Sequence, residues 1–247
     1  MKNNMKYKKS LILDNEEIAG GIFKMTLESE GQEFDSPGQF AMIDIPGKFL
    51  RRPISVSSFD SERYTLIYKV VGEGTDILSK MERNRNLDVI TGLGTGYDLN
   101  KIPDDATLVG GGIGIPPLLS LLKNLIMQGK RCKVILGYNT KEEIFLKDEF
   151  SNFAKELKII TRDGSFGDKG LVTDLIDNEK YICSCGPIGM LKEVAKKANA
   201  GQFSLEARMG CGFGVCMGCS ILTKNGSKRI CKEGPVFDKE ELLWENL

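Results

Sequence analysis

The sequence predicts a multidomain α+β protein with an N-terminal antiparallel β-barrel, a central doubly wound parallel α/β sheet and a small C-terminal lobe. Three observations predict it. Short alternating apolar runs broken by turn residues fill the first 100 positions, strand and helix patterns alternate over 101–203, and glycine and cysteine dominate 204–247. We expect these three ranges to be the domains.

The barrel prediction rests on period-two alternation. The segments GIFKMTLE (21–28) and RYTLIYKV (63–70) alternate apolar and polar residues, and Gly, Pro and Asp-Ser breaks separate them from their neighbours. One helix interrupts the strands, because Gly74-Thr75-Asp76 is a good start signal and helical periodicity follows it.

The central region has the pattern of a β/α series. A buried strand, a glycine turn and a helix with proline in its first turn span 106–130, and strands follow at 131–139, 157–163 and 181–186. Helical patterns cover 141–156 and 187–200. Right-handed crossovers between such strands make the sheet parallel and doubly wound.

Composition excludes several functions. The 34 basic residues balance the 34 acidic ones, which gives no indication of nucleic-acid binding. Histidine is absent, so Ser-His-Asp or Cys-His catalysis and a His-ligated metal centre cannot be built. The apolar runs are too short for a signal peptide or a membrane span, so we expect a cytoplasmic chain whose seven cysteines are metal ligands or thiols, not disulfides.

A glycine-rich loop, GGGIGIPP (110–117), lies between a predicted strand and a predicted helix. Glycines let the backbone approach a pyrophosphate, and the helix N-terminus offers free N–H groups. A tight structural turn is the alternative, since the third glycine of G-x-G-x-x-G is missing. The Cys185-Gly186-Pro187 segment ends another strand at the edge where ligands gather in such sheets. The dinucleotide candidates are therefore Gly111, Gly112, Gly114, Cys185, Gly186 and Pro187.

The position that discriminates NAD from NADP should follow the second strand, within residues 137–142. This segment contains no arginine to bind a 2′-phosphate, and two glutamates follow, which favours NAD. Lys141 is the one residue there that could serve a phosphate.

Two barrel segments could bind a phosphate-bearing cofactor. The guanidinium groups of Arg51-Arg52 suit phosphate, and Ser55 could donate a hydrogen bond to a ring or ribityl oxygen. Gly74-Thr75 offers a second anion site at a helix start. The alternatives are a solvated arginine patch and an ordinary helix cap.

Four cysteines have the spacing of a metal centre. Cys211, Cys216 and Cys219 form C-x4-C-x2-C, and Cys231 follows, an arrangement typical of plant-type iron–sulfur clusters. Four-thiolate zinc is the alternative. Cys183 and Cys132 are interpreted as core residues, and Trp244 and Phe237 as packing that covers the lobe.

These motifs, in this order, resemble the ferredoxin-reductase-like flavoproteins over nearly the whole chain. Within them the lobe, SLEARMGCGFGVCMGCS followed by ICKEGPVFD, is similar to electron transfer subunits of class 1B dihydroorotate dehydrogenase. The resemblance implies a [2Fe-2S] cluster on the four lobe cysteines. It implies an FAD site formed by Arg52, Pro53, Ile54, Ser55, Ile67, Tyr68, Lys69, Gly74 and Thr75. Ile54 stands where many reductases have an aromatic residue, and Lys69 where arginine is common.

The resemblance also implies a function in pyrimidine biosynthesis. Electrons would pass from dihydroorotate to the FMN of a separate catalytic subunit, then to the cluster, FAD and NAD⁺, within a heterotetramer of two of each subunit. The chain would have no catalytic acid or base and no dihydroorotate site. Alternatives are the electron-transfer subunit of a sulfide dehydrogenase-like or ferredoxin:NADP⁺ oxidoreductase complex, and a zinc-stapled interaction module without enzymatic activity.

Overall fold

The structure, a computed structural model, describes residues 5–247 and contains a closed six-stranded barrel, a seven-stranded sheet and a two-stranded hairpin. The barrel strands are β1 (Lys6–Ala19), β2 (Ile22–Glu28), β3 (Phe40–Ile43), β4 (Arg52–Phe59), β5 (Arg63–Lys69) and β6 (Asn86–Leu93). The first helix, α1 (Glu73–Ser79), lies between β5 and β6.

The barrel closes in the order β1-β2-β5-β4-β3-β6, and every pair of neighbouring strands is antiparallel. Alternate side chains point inward, as the alternation predicted, and fill the interior with aliphatic and aromatic groups. Tyr64 is fully buried there, and its hydroxyl lies 3.0 Å from Oγ of Ser10. The predicted antiparallel barrel is confirmed.

The central sheet follows the predicted β/α series. Its strands are β7 (Thr107–Gly111), β8 (Lys133–Tyr138), β9 (Glu156–Thr161), β10 (Asp168–Lys169), β11 (Tyr181–Cys185), β12 (Ala200–Ser204) and β15 (Val236–Asp238). Its helices are α2 (Pro116–Met127), α3 (Lys147–Phe153) and α4 (Ile188–Lys197).

The strand order is β10-β9-β8-β7-β11-β12-β15. The chain winds outward from β7 through β8 to β9, and then returns to the other side of β7 with β11 and β12. The strand order therefore reverses between β7 and β11, which is where ligands bind in doubly wound sheets.

The cysteine-rich region is tied to this sheet. It contains the hairpin β13 (Ser220–Thr223) and β14 (Gly226–Arg229), and then β15 pairs antiparallel with β12. Cys219, Ile230 and Cys231 belong to the same apolar cluster as Phe203 of the sheet. The boundary at 203/204 remains a prediction, but the 204–247 region shares its core with the sheet.

Two local predictions were wrong. The helix expected over 141–156 is limited to α3, because Leu146 adopts a left-handed backbone conformation (φ 59°) that interrupts it. The helix expected to reach 200 ends at Lys197, and β12 follows, where Phe203 is fully buried. Among residues 5–247, no helix is long and apolar enough to cross a membrane.

Candidate functional site

A cavity of about 260 Å³ lies where the strand order reverses; we call it the switch-point cavity. Gly111 and Gly112 form its wall beside β7, and Pro187 forms the wall after β11. Asn139 and Arg162, which follow β8 and β9, also line it. The carboxyl ends of four parallel strands therefore converge on one concave surface, the usual position of a nucleotide in this architecture.

The glycines of the glycine-rich loop have different surroundings. Gly112 has φ +51°, and a Cβ added to it would meet no atom within 4 Å, so its open backbone is free to approach a ligand. Gly114 is packed instead, because a Cβ there would lie 2.5 Å from Cα of Gly186. The pyrophosphate interpretation suits Gly112, and the structural-turn alternative describes Gly114. Gly111 also lines the cavity, but a Cβ added there would lie 2.4 Å from Sδ of Met190, so its other side is packed.

The remaining two candidates near this cavity lie behind its wall. Cys185 is buried, and burial raises the pKa of its thiol to about 12 although a hydrogen bond with Ser204 opposes the shift. A Cβ added to Gly186 would lie 2.6 Å from Cε of Met190, so glycine lets the backbone pack against this side chain. Neither is among the residues that line the switch-point cavity. Because they directly precede Pro187, Cys185 and Gly186 position this residue, which lines the cavity.

A larger cavity of about 1070 Å³ lies between the barrel and the 204–247 region; we call it the interdomain cavity. Arg52 and Pro53 line it from the barrel, and residues 205–209 form the facing wall. Ile221 and Ile230 close it on the lobe side. Residues 205–209 were not among the predicted site residues. Their position directly between a strand of the sheet and the first cysteine is the signal that could have identified them.

The two consecutive arginines differ in their surroundings. The Arg51 side chain is engaged within the barrel: it donates to the Asp88 carbonyl at 3.0 Å and lies over the Tyr7 ring at 5.4 Å. Arg52 lies against α1, where the added Cβ of Gly74 would be 2.8 Å from Arg52 Nε. A side chain at position 74 would therefore require this guanidinium to move.

The hydroxyl of Thr75 serves the helix start. It accepts hydrogen bonds from the N–H groups of Val71 (2.9 Å) and Gly72 (3.2 Å), and it donates to the Gly72 carbonyl at 2.9 Å. The helix-cap alternative therefore describes the Thr75 side chain. Any contact of this turn with a ligand would come from its backbone.

The other predicted FAD residues lie on neighbouring strands of the barrel. Ile54 and Ser55 are on β4, and Ile67, Tyr68 and Lys69 end β5. Ile54 and Ile67 are buried, and Ser55 is half-buried.

Tyr68 and Lys69 are both held by polar contacts. Burial raises the pKa of Tyr68, whose hydroxyl donates to Asn15 Oδ1 at 3.0 Å. The Lys69 ammonium lies 3.0 Å from Oε1 of Glu143, and Glu143 belongs to the segment after β8. This ion pair joins the barrel to the sheet.

The four lobe cysteines are arranged as two pairs. The Cys211 N–H donates to Cys216 Sγ at 3.4 Å, and the Cys216 N–H donates back to Cys211 Sγ at 3.4 Å. The Cys231 N–H donates to Cys219 Sγ at 3.4 Å. Gly212 (φ +80°) lets this loop lie on the barrel, since its added Cβ would be 2.5 Å from Met42 Cγ.

The two pairs differ in electrostatics. Burial alone would raise the pKa of Cys211, but the backbone N–H groups of Cys216, Phe213 and Val215 lower it to about 6. Burial, and then the neighbouring Cys219, raise the pKa of Cys231 to about 12. Cys211, which belongs with Cys216 to the more exposed outer pair, is thus poised for the thiolate form, whereas Cys231, which belongs with Cys219 to the buried inner pair, needs a bound metal to ionise.

This arrangement fits a binuclear cluster. Within residues 5–247, no three Cys, Asp or Glu side chains converge closely enough to hold one metal ion. A four-thiolate zinc site needs all four sulfurs around one ion, whereas a [2Fe-2S] cluster can take two thiolates on each iron. The N–H groups directed at the sulfurs are donors that such a cluster also uses.

Two family models match the chain. The "Oxidoreductase NAD-binding domain" matches residues 108–196, and the "Iron-sulfur cluster binding domain of dihydroorotate dehydrogenase B" matches residues 206–243. Together with the barrel and the switch-point cavity, they define the class: an oxidoreductase subunit that binds NAD and an iron–sulfur cluster. The match over the lobe also favours iron–sulfur over zinc.

Full-length relatives give the family. The electron transfer subunit of dihydroorotate dehydrogenase B (NAD⁺) from Clostridium perfringens is 38% identical over 244 residues, which cover 96% of this chain and 98% of the relative. The corresponding subunit from Caldanaerobacter subterraneus is 40% identical over 249 residues, with 96% and 98% covered. The chain belongs to the family of electron transfer subunits of NAD⁺-linked dihydroorotate dehydrogenase B, as the resemblance predicted.

Solved structures agree on the fold. The structure of an NADH-dependent reduced ferredoxin-NADP oxidoreductase, studied for flavin-based electron bifurcation, has a TM-score of 0.86 at 30% identity and covers 96% of this chain and 91% of that chain. A flavohaemoglobin from Malassezia yamatoensis with bound FAD and haem has a TM-score of 0.62 at 19% identity, over 79% and 57%. The second likeness shows the fold alone.

Proposed function

We propose that this chain delivers to NAD⁺ the electrons that an FMN-containing partner subunit withdraws from dihydroorotate. The proposal places two copies of each subunit in a cytoplasmic heterotetramer that serves pyrimidine biosynthesis. Its support is the family, whose members are named electron transfer subunits, and the NAD-binding and iron–sulfur domains of this chain. The free cysteines, of which Cys132 and Cys183 are buried in the sheet, suit a reducing compartment.

The cofactors supply the electron chemistry. FAD, when bound, would accept electrons one at a time from a [2Fe-2S] cluster and give two of them to NAD⁺ as a single hydride, which would link a one-electron carrier to a two-electron carrier. The chain's own residues bind these groups, orient them and exclude water from between them.

The observation that carries the proposal is the interdomain cavity. Its walls come from the barrel at Arg52 and Pro53, from residues 205–209, and from the lobe at Ile221 and Ile230. Residue 209 is two positions from Cys211. A flavin bound here would therefore lie beside the cysteine loop, as one-electron exchange requires.

We assign the residues of each site on this basis. Arg52 faces the phosphates of FAD, because its guanidinium lies against the α1 backbone at Gly74 and reaches the interdomain cavity. Pro53 lines the same cavity. The other proposed FAD residues do not line it and lie on β4, β5 and α1 behind that wall: Ile54, Ser55, Ile67, Tyr68, Lys69 and Thr75. Gly111, Gly112 and Pro187 receive NAD, and Gly114, Cys185 and Gly186 set the position of that wall.

The lobe cysteines hold the cluster in this proposal, Cys211 and Cys216 on one iron and Cys219 and Cys231 on the other. The outer pair lies near the surface, and two apolar residues beside it are exposed: Val215 by 73% and Met217 by 51%. Exposed apolar groups next to a redox centre suit contact with a partner subunit, since electron transfer requires proximity.

Cys219→Ser tests the relay in the complex reconstituted with the catalytic subunit. We expect NADH oxidation by artificial dyes to persist, iron content and the cluster's visible absorption to fall, and dihydroorotate-dependent reduction of NAD⁺ to be lost. Cys132→Ala is the matched control, because Cys132 is buried in the sheet away from the lobe, and it should keep all three signals. Unchanged dihydroorotate-to-NAD⁺ turnover in Cys219→Ser would refute the relay.

A second candidate is favoured by one comparison. The bifurcating oxidoreductase structure has a TM-score of 0.86 to this chain, so a subunit of such a complex would have the same fold. Co-purification separates the two candidates. A dihydroorotate-oxidising FMN protein supports the first proposal, and a larger flavoprotein with additional clusters supports the second.

A further inference from the structure

Arg229 joins the two cysteine segments of the lobe. It is the last residue of β14, two positions before Cys231, and its Nη1 donates to the carbonyl of Gly214 at 2.6 Å. Gly214 is buried in the middle of the loop between Cys211 and Cys216. A buried carbonyl needs a hydrogen-bond partner, and a side chain 15 positions away supplies it here. Arg229 therefore fixes this loop relative to the segment that carries Cys231.

The guanidinium of Arg229 is held in one orientation for this contact. Its Nε donates to Oε2 of Glu233 at 3.0 Å, and its Nη2 donates to the other oxygen of the same carboxylate. Such a bidentate pair fixes the plane of the fork. The turn that carries Glu233 is anchored to the segment after β6, because Thr95 donates from its hydroxyl to the Glu233 carbonyl at 3.1 Å and from its N–H to the Gly234 carbonyl at 2.6 Å.

The Arg229 contact determines the direction of one peptide unit. The carbonyl of Gly214 and the N–H of Val215 belong to the same planar trans peptide, so they point in opposite directions. The carbonyl is directed at Arg229, and the Val215 N–H donates to Sγ of Cys211 at 3.3 Å. The N–H of Cys216 donates to the same sulfur at 3.4 Å. Loss of the Arg229 contact would let the peptide rotate and would take the Val215 donor away from this sulfur.

We propose that Arg229 is a positioning residue for the iron–sulfur cluster and raises its reduction potential by directing the Val215 N–H at Sγ of Cys211. Hydrogen bonds to the sulfurs favour the reduced cluster, which carries one more negative charge, and they are among the factors that set its potential. Arg229 acts through the Gly214–Val215 peptide, not as a ligand. The inference rests on the proposed assignment of the cluster to the four lobe cysteines.

A redox titration of the cluster in the full flavin-loaded chain, followed by electron paramagnetic resonance, tests this role. Arg229→Lys keeps the positive charge but lacks the planar fork that binds Glu233 and Gly214 together. We expect the balance between oxidised and reduced cluster to shift about tenfold towards the oxidised form, as loss of one hydrogen bond to a charged group gives. For a one-electron couple this shift lowers the midpoint potential by about 59 mV.

Val215→Pro removes the same N–H while Arg229 stays in place. We expect it to lower the midpoint potential by a similar amount, and the double variant with Arg229→Lys should show no further decrease, because both changes remove one hydrogen bond. If Arg229→Lys assembles no cluster, Val215→Pro decides: a lowered potential supports the inference, and an unchanged one overturns it.

Lys228→Gln is the matched control, because Lys228 precedes Arg229 on the same hairpin and its ammonium is paired with Glu241 at 2.8 Å. It removes one positive charge from the lobe and should leave the potential unchanged. An unchanged potential in Arg229→Lys overturns the inference, and so does an equal shift in Lys228→Gln, which would assign the effect to charge alone. A cluster signal that is present in the unmodified chain but insensitive to Arg229 leaves the proposed function standing, whereas a chain without iron or signal removes both.

Discussion

The substitution Gly114→Ala separates packing from ligand contact in the glycine-rich loop. A Cβ at position 114 would lie 2.5 Å from both Cα and N of Gly186 and 2.6 Å from the carbonyl carbon of Cys185. Ordinary carbon contacts are about 3.5–4.0 Å, so the overlap is about 1 Å. All three atoms belong to the backbone, and no side-chain rotation can relieve the contact.

The strand end and the loop must therefore move apart. Overpacking of this kind costs about 1–3 kcal/mol. For a chain of this size each kcal/mol lowers the melting temperature by about 2–4 °C, so the expected decrease is about 2–12 °C. Pro187 follows the displaced Gly186 and lines the switch-point cavity, so the KM for NADH should rise as well.

Differential scanning measurements on the flavin-loaded protein, together with dye-linked NADH oxidation, test this reasoning. Gly189→Ala is the control for stability, because a Cβ there meets nothing within 4 Å and the residue lies in α4, where alanine is favoured over glycine by up to about 1 kcal/mol. Its melting temperature should stay the same or rise. A Gly114→Ala protein with the melting temperature and KM of the unmodified chain would refute the packing argument.

Two further predictions concern the junction between barrel and sheet. Burial would raise the pKa of Glu143, but hydrogen bonds from Lys69 and Asn139 hold this pKa below its usual value. The Lys69–Glu143 ion pair therefore stabilises the fold fully above the unfolded-state pKa of about 4.3. This stabilisation is lost as the pH falls through the lower pKa of the folded state. Glu143→Gln should therefore lower the free energy of unfolding in urea by at most about 1 kcal/mol at pH 7, because the ion pair is partly exposed. The difference between the variant and the unmodified chain should vanish near pH 3. A difference that does not depend on pH would contradict the ion-pair explanation. Tyr97→Phe should lower the free energy of unfolding by about 1 kcal/mol, because the buried hydroxyl donates to the Ser184 carbonyl at 3.1 Å, and an unchanged urea midpoint would contradict it.

Periodicity accounts for most of the fold. The barrel strands alternate because one face is buried, and the β/α series has helix starts and glycine stops that need no tertiary information. The exceptions are β12 and α3. In β12 the five-residue segment AGQFS, just after a helix, has no periodic pattern of its own. It becomes a strand because Tyr181–Cys185 on one side and Val236–Asp238 on the other complete its hydrogen bonds. In α3, the left-handed Leu146 shortens a segment whose pattern is continuous.

The candidate site, like the fold, has features that the sequence predicts and features that it does not. Short-range spacing determined the C-x4-C-x2-C loop, its glycines and the strand-loop-helix position of GGGIG, because ligand spacing and turn geometry are local properties of the chain. The amino-acid sequence also determined what the chain cannot do, since a protein without histidine lacks the usual proton shuttle. These features were sufficient to indicate the family.

Tertiary structure alone decided which residues share a cavity. Arg162 is 20 or more positions from the segment where the sequence places ribose recognition, yet parallel pairing of β8 with β9 puts it beside Asn139. The return of β15 to the sheet places residues 205–209 opposite Arg52. The physical reason is that strand order and core packing, which depend on contacts distant in sequence, set these distances, whereas a linear pattern records only the neighbours along the chain.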